Sequence, residues 1–131
     1  MGEAGIAVKK LSAEDAEDWS KVGDGEIFVN DMVDQASEPE AKMTVGYARV
    51  GGGEEHEISF PYDEVLVLTR GAYTVRTEAG EEITARAGEV IYLPAGSRNS
   101  SYANEDCEMV YVASPPSVYA EHVAAAASGG G

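Results

Sequence analysis

From Met43 to Ala113 the chain reads as short runs in which apolar and polar positions alternate, each run closed by a turn signal. The runs are MTVGYARV (43–50), DEVLVLTRG (63–71), YTVRTE (73–78), EITARA (82–87), EVIYLP (89–94), RNSSYA (98–103) and CEMVYVA (107–113). Alternation of this kind predicts half-buried strands. Tyr73, Val75 and Thr77 share one face against Thr74, Arg76 and Glu78, and Ile83, Ala85 and Ala87 oppose Glu82, Thr84 and Arg86. Many short strands at near-regular spacing predict an all-β sandwich or barrel rather than a parallel α/β sheet. The run VLVL (65–68) is apolar on both faces, so one face should line the barrel and the other meet a second sheet or a second subunit.

The flanks differ. Residues 1–42 read as an acidic arm. In it Ser12-Ala13-Glu14-Asp15 has helix-capping spacing, Gly23 is placed to stop the helix, and EIFVN (26–30) predicts an edge strand. GGGEEHE (51–57) reads as an acidic glycine-rich turn. After Pro115-Pro116, residues 117–131 predict a short Ala-rich helix ending in a glycine tail, too short to be stable unless it packs on the barrel or a partner. The expected organisation is therefore an arm (1–42), a barrel (43–116) and a C-terminal helix (117–131).

Charge and cysteine content narrow the partners. With 24 acidic and 9 basic residues the formal net charge is −15, which opposes nucleic-acid and anionic membrane surfaces. Cys107 is the only cysteine, so no intrachain disulfide forms, as expected in the cytoplasm. Residues 1–11 have no apolar core behind their charges, which reads against a secretory signal. All four lysines precede residue 43, which argues against Schiff-base chemistry in a pocket built by later strands.

Two spaced groups of residues carry a family resemblance: Glu64-x6-Gly71, and Gly88-x5-Pro94-x-Gly96-x2-Asn99. Gly71, Gly80 and Gly96 suit positive-φ turns, and Pro94 suits a strand end. The chain resembles the cupins, whose two motifs read G-x5-H-x-H-x3-4-E-x6-G and G-x5-P-x-G-x2-H-x3-N. Within them it is most similar to the ethanolamine-utilisation EutQ-like group, through 62–80, 83–97 and 109–116. The resemblance implies a dimeric double-stranded β-helix, or jelly-roll barrel, and a place near microcompartment metabolism. For some members it implies acetate kinase activity.

Departures from the motifs bear on chemistry. The first-motif histidines fall on Ile58 and Phe60, or on Glu57 and Ser59; Asn99 replaces the second-motif histidine and Ala103 the trailing asparagine. Of four expected ligands only Glu64 remains, so no metal and no other cofactor is expected. His56 lies eight residues before Glu64, and a bulge turning it inward would give, with Glu64 and Glu57, a poor His–carboxylate site. The plainer reading is a solvated histidine. His122 is expected at a surface or interface.

Counting alternate positions from Glu64 and Asn99 puts Leu66, Leu68 and Ser101 inside. The candidate pocket is then Glu64 and Tyr47 as catalytic groups, with Asn99, Arg49, Tyr92, Ser101, Met109, Tyr111 and His56 around a small-molecule ligand. A carboxyl among Leu, Met and Tyr should have a raised pKa, suited to acid/base work. A metal-independent lyase, isomerase or cyclase is the leading expectation, ahead of a non-catalytic binding or scaffold cupin. Phosphoryl transfer ranks last: there is no G-x4-G-K-[ST], Gly51-Gly52-Gly53 runs into Glu54-Glu55, and the arginines at 49, 70, 76, 86 and 98 would have to converge inside.

Overall fold

The computed structural model describes residues 8–23 and 25–129. Ten strands form two antiparallel sheets: β1 (Ser20–Lys21), β2 (Ile27–Val33), β3 (Thr44–Val50), β4 (Glu55–Glu57), β5 (Asp63–Arg70), β6 (Ala72–Thr77), β7 (Glu82–Arg86), β8 (Val90–Leu93), β9 (Asn99–Ala103) and β10 (Cys107–Ser114). A helix, α1 (Pro116–Gly129), follows. The larger sheet has the order β1-β2-β3-β10-β5-β8 and the smaller β4-β9-β6-β7. The sheets close face to face as a cupin barrel, with the core between them.

Cross-strand register sorts the side chains into an inner and an outer set, because directly opposed residues of an antiparallel pair point to the same face. Inner rows of the larger sheet are Thr44–Ala113–Glu64–Leu93, Asp31–Gly46–Tyr111–Leu66–Ile91 and Val29–Ala48–Met109–Leu68. The smaller sheet contributes His56–Ser101–Val75–Ile83 and Ala103–Tyr73–Ala85. Leu68, Val75 and Cys107 are among the most completely buried side chains.

Gly46 governs how the second of these rows packs. A Cβ there would run into the Tyr111 ring and the Asn30 carbonyl. Its bareness lets the Tyr111 ring lie across β3, where its hydroxyl donates to Asp31 Oδ1 on β2. Tyr119 of α1 donates to the same oxygen at 2.8 Å. One carboxylate oxygen thus ties β2, β10 and α1 together. Gly71, at the tight β5–β6 turn with φ +80°, is constrained in a different way: its α-carbon lies against the Cys107 side chain and the Asp106 carbonyl, leaving no room for a Cβ.

Three expectations from sequence change. Ser12 does cap, accepting from Glu14 N–H, but the turn it starts is a 3-10 turn of three residues, Ala13–Asp15, and does not run to Gly23. So short a segment makes few helical hydrogen bonds, and it buries none of its residues to offset their ordering. The acidic stretch after Gly53 is a strand, β4, pairing with β9. The 26–30 strand lengthens to Ile27–Val33 and lies inside the sheet edge, covered by the two residues of β1.

Gly46→Ala is expected to destabilise the fold by ~1–3 kcal/mol through overpacking against Tyr111. Thermal melting checks the cost. Loss of the Tyr111 and Tyr119 hydroxyl resonances from slow exchange, read by NMR, shows whether the shared Asp31 contact is what gives way.

Candidate metal-free barrel site

Glu64 is the ionisable group buried in the barrel core. It sits near the start of β5 with Leu93 and Ala113 as inner-row neighbours and is 6% exposed. No hydrogen-bond partner for its carboxyl occurs among the described residues. Burial pushes its pKa up to about 8, so near neutrality the carboxyl is mostly protonated. A protonated carboxyl can donate; once it has donated, the poorly solvated carboxylate left behind is a strong base.

Phenols surround this carboxyl. Burial raises the pKa of Tyr73 to about 12, against a lowering hydrogen bond from Ser101, and the nearby Cys107 and Glu64 raise it further. Tyr62 and Tyr119 are raised by burial first and by neighbouring charge, Glu64 included, after it. All three phenols therefore stay neutral donors across the physiological range. Tyr62 stacks on Phe60 at 4.9 Å and meets Tyr119 and His122 edge-on at 5.3 and 5.7 Å. His122 also meets Phe60 at 5.5 Å. His122, expected at a surface or interface, is half-buried where α1 packs on the barrel and closes an aromatic wall.

Beside this core a cleft of about 620 Å³ opens between the sheets. Val75, Ile83, Ile91 and Leu93 give it apolar walls, and Thr77 and Asn99 supply polar groups. Asn99 Nδ2 donates to Ser97 Oγ at 2.9 Å, which fixes the amide. Leu93 lines the cleft, and Glu64 lies one strand further in. A second basin, about 660 Å³, lies on the outer face of the smaller sheet. There Arg76 is paired with Glu82, and Thr74 bonds Thr84 and Asn104. These groups satisfy one another, so the cleft at the barrel mouth is the better candidate site despite the basin's larger volume.

The candidate residues separate into three groups. Glu64, Ser101, Met109 and Tyr111 are buried on inner rows, and Asn99 lines the cleft. His56 is half-buried in the row of Ser101, whose hydroxyl donates to the His56 carbonyl at 3.3 Å. Tyr47, Arg49 and Tyr92 stand on the outside of the larger sheet, which corrects Tyr47 and Arg49 as pocket residues. Tyr47 lies in the outer row with Val110, Val67 and Val90, and Arg49 binds Glu108 at 3.0 Å under the Trp19 ring. Tyr92 is 61% exposed and reaches the cleft at its rim. Strand alternation fixes which residues share a face, not which face is inside. For β3 and β8 the inner set is the other one. Tyr62, Tyr73, Tyr119 and Asp31 were missed. Tyr73 carried a signal, alternating with Val75, whereas Asp31 meets Tyr111 across 80 positions of sequence.

The donor set does not fit the metal that cupin barrels commonly hold. Ile58 is buried apolar and Phe60 is stacked on Tyr62, so neither expected histidine position offers a ligand. Glu57 pairs with Ser100 on the outer face and is exposed, away from Glu64. Among the described residues no three His, Cys, Asp or Glu side chains gather. No helix among them is long and apolar enough to cross a membrane.

Comparison with known proteins agrees with this architecture. A putative ethanolamine utilization protein Q from Salmonella typhimurium is 27% identical, with 69% of this chain and 70% of that one covered, at TM-score 0.63. The EutQ protein of Clostridium difficile is 22% identical over 86% and 90%, at TM-score 0.63. The polyketide cyclase RemF of Streptomyces resistomycificus shares the fold at 14% identity, over 82% and 80%, at TM-score 0.69. No curated protein sequence matches at a significant level. A family profile described as ethanolamine utilisation protein EutQ matches residues 1–120. With so much of its length matched, the chain belongs to the EutQ family of cupins.

Proposed function

We propose that the chain is a cytoplasmic small-molecule cupin that performs metal-independent acid/base chemistry of the lyase, isomerase or cyclase kind, with Glu64 as the proton-transferring group. The observation that carries this reading is a buried carboxyl with no hydrogen-bond partner among the described residues. It is held protonated near neutrality beside neutral phenols and next to an apolar cleft. Burying such a group costs stability, and a perturbed carboxyl beside a cleft is a candidate for function. RemF, a polyketide cyclase by name, shows that the same fold can carry cyclase chemistry. Asn99 and Thr77 supply orienting hydrogen bonds, and the Tyr73 hydroxyl is a second donor close to Glu64. Substrate access requires Leu93 to shift, since Glu64 does not itself line the cleft. That last fact favours the second reading, a binding or scaffold cupin in which the cleft holds a ligand and Glu64 is inert. Phosphoryl transfer has less support: all five arginines are exposed, and of them only Arg98 lines the cleft, so they do not converge there.

Purified protein is expected to carry no stoichiometric transition metal. Elemental analysis giving near one metal per chain, lost in His56→Ala and Glu64→Gln, would overturn that expectation.

Glu64→Gln separates the two readings of the carboxyl. The folded pKa of about 8 stands above the ordinary carboxyl value of 4.5, so between the two the folded state holds a proton that the unfolded state releases. Stability from this group is full below about pH 4.5 and is lost as pH rises through about 8. The variant, having no proton to lose, should gain on wild type steadily as pH rises from 5 to 9, by ~2–4 kcal/mol in all, read by denaturant unfolding. With a ligand recovered by native mass spectrometry, the variant should keep binding and lose turnover by ~10²–10⁴. Full turnover in the variant would end the catalytic role of Glu64, whereas ligand binding with no turnover in wild type would leave the binding reading.

A further inference from the structure

The cleft beside Glu64 is apolar along its walls and carries charge of both signs where two turns meet it. Glu78 and Glu81 lie in the turn from β6 to β7, and Arg98 in the connection from β8 to β9. Among the described residues that line the cleft, Arg98 is the only basic one. The Glu81 N–H donates to Thr77 Oγ1 and so holds its turn. The three charged side chains themselves make no ion pair and no hydrogen bond among the described residues. We propose that the cleft takes a small zwitterion with an apolar body, of the α-amino-acid kind. Its carboxylate meets Arg98, its ammonium meets Glu78 and Glu81, and its apolar part lies along the walls. This deepens the small-molecule reading above and rests on it.

Register places the opposite charges side by side. β6 and β9 pair through Arg76–Ser100 and Thr77–Asn99, so the next position along sets Glu78 across from Arg98. Opposed residues of an antiparallel ladder have α-carbons about 4.5–5.5 Å apart, well within ion-pair reach of two long side chains. They nevertheless stay unpaired, in a chain of 24 acidic and 9 basic residues where Arg49, Arg76 and Arg86 have each taken a glutamate. An exposed pair here would be worth under about 1 kcal/mol, so a ligand offering both groups better-oriented partners displaces it at little cost. An α-amino acid carries its ammonium and carboxylate on one carbon. It therefore presents the complementary pair of adjacent charges.

Other charge classes fit worse. A monoanion meets one guanidinium but two carboxylates, on a body of net charge −15, and repulsion opposes it. A monocation finds the carboxylates but has Arg98 beside it. A neutral apolar molecule uses the walls alone. A zwitterion answers both signs and brings no net charge to an acidic surface, and the guanidinium fork suits two-point contact with a carboxylate. Size agrees: at about 620 Å³ the cleft falls in the ~300–1,000 Å³ range of small-molecule pockets. With the charged head held at the turns, the apolar part runs along Ile83 and Ile91 to Leu93, the neighbour of Glu64 in its inner row.

Methyl NMR titrations of the full chain test the match. The probes are L-phenylalanine and L-leucine, each beside the analogue lacking its amino group (hydrocinnamate, isocaproate) and the one lacking its carboxylate (phenethylamine, isopentylamine). At least one amino acid is expected to shift the Ile83, Ile91 and Leu93 methyls at millimolar concentration, and to bind ~10-fold or more tightly than either of its analogues. Arg98→Gln should lower its affinity to that of the amine, and Glu78→Gln combined with Glu81→Gln to that of the acid. All three positions are exposed, so melting temperatures should stay at the wild-type value and exclude unfolding as the cause. Glu64→Gln should leave every affinity within about twofold, which separates the ligand class from the acid/base chemistry. If that variant loses turnover on a recovered ligand while no probe discriminates by charge, the chemistry stands and the zwitterion is overturned. Equal binding of an amino acid and its analogues overturns it too, as does a preference that survives the arginine and glutamate variants, or no methyl shift with any probe.

Discussion

Side chains along a strand alternate, so every strand of the larger sheet must spend half its residues on each face. The barrel interior takes Leu66, Leu68, Met109 and Tyr111; the opposite parity leaves Val65, Val67, Val110 and Val112 outside. In a sheet with one solvated face the outside set would be polar. Here it is not, and the two faces do different work. The inner face, closed by the smaller sheet and α1, buries Glu64. The outer face remains an uncharged plate on a strongly acidic body. One constraint, period two on both sides of a single sheet, thus gives the chain a buried core on one face and a largely apolar surface on the other.

The interior also shows how a small barrel reconciles polar groups with burial. Tyr111 and Tyr119 have their hydroxyls satisfied by Asp31, and Thr74 is paired with Thr84. Glu64 differs in having no hydrogen-bond partner among the described residues, and it responds by keeping its proton. The cost of that arrangement falls on stability at high pH, whereas satisfied groups carry no such dependence. Burial raises the pKa of Glu64, and Tyr62, Tyr119 and His122 pack edge-on beside it.

Much of the fold was legible because it rests on local signals. Alternation placed β5, β6, β7 and β10 within a residue or two, and Gly71, Gly80 and Gly96 do adopt positive φ. The spacing Glu64-x6-Gly71 belongs to the same local grammar. Facing was less legible, as Tyr47, Arg49 and Tyr92 show: a strand apolar on both sides gives no hint of which side closes. The phenolic surroundings of Glu64 were least legible. Tyr119 comes from a helix beyond the barrel, and Asp31 from the flank before it. Their meeting depends on Gly46 having no side chain, which no periodicity records.

Cys107 follows from the Gly71 turn in a way that matters at the bench. Its thiol lies 1% exposed under that turn, and burial raises its pKa to about 11. A group so shielded and so rarely ionised is nearly inert to alkylating and oxidising agents while the barrel is closed. As the sole sulfhydryl in the chain, it becomes a clock for opening: each modification event timestamps a moment when β10 has parted from the β5–β6 turn. The chain thereby carries its own single-site chronometer, readable by mass without any added label.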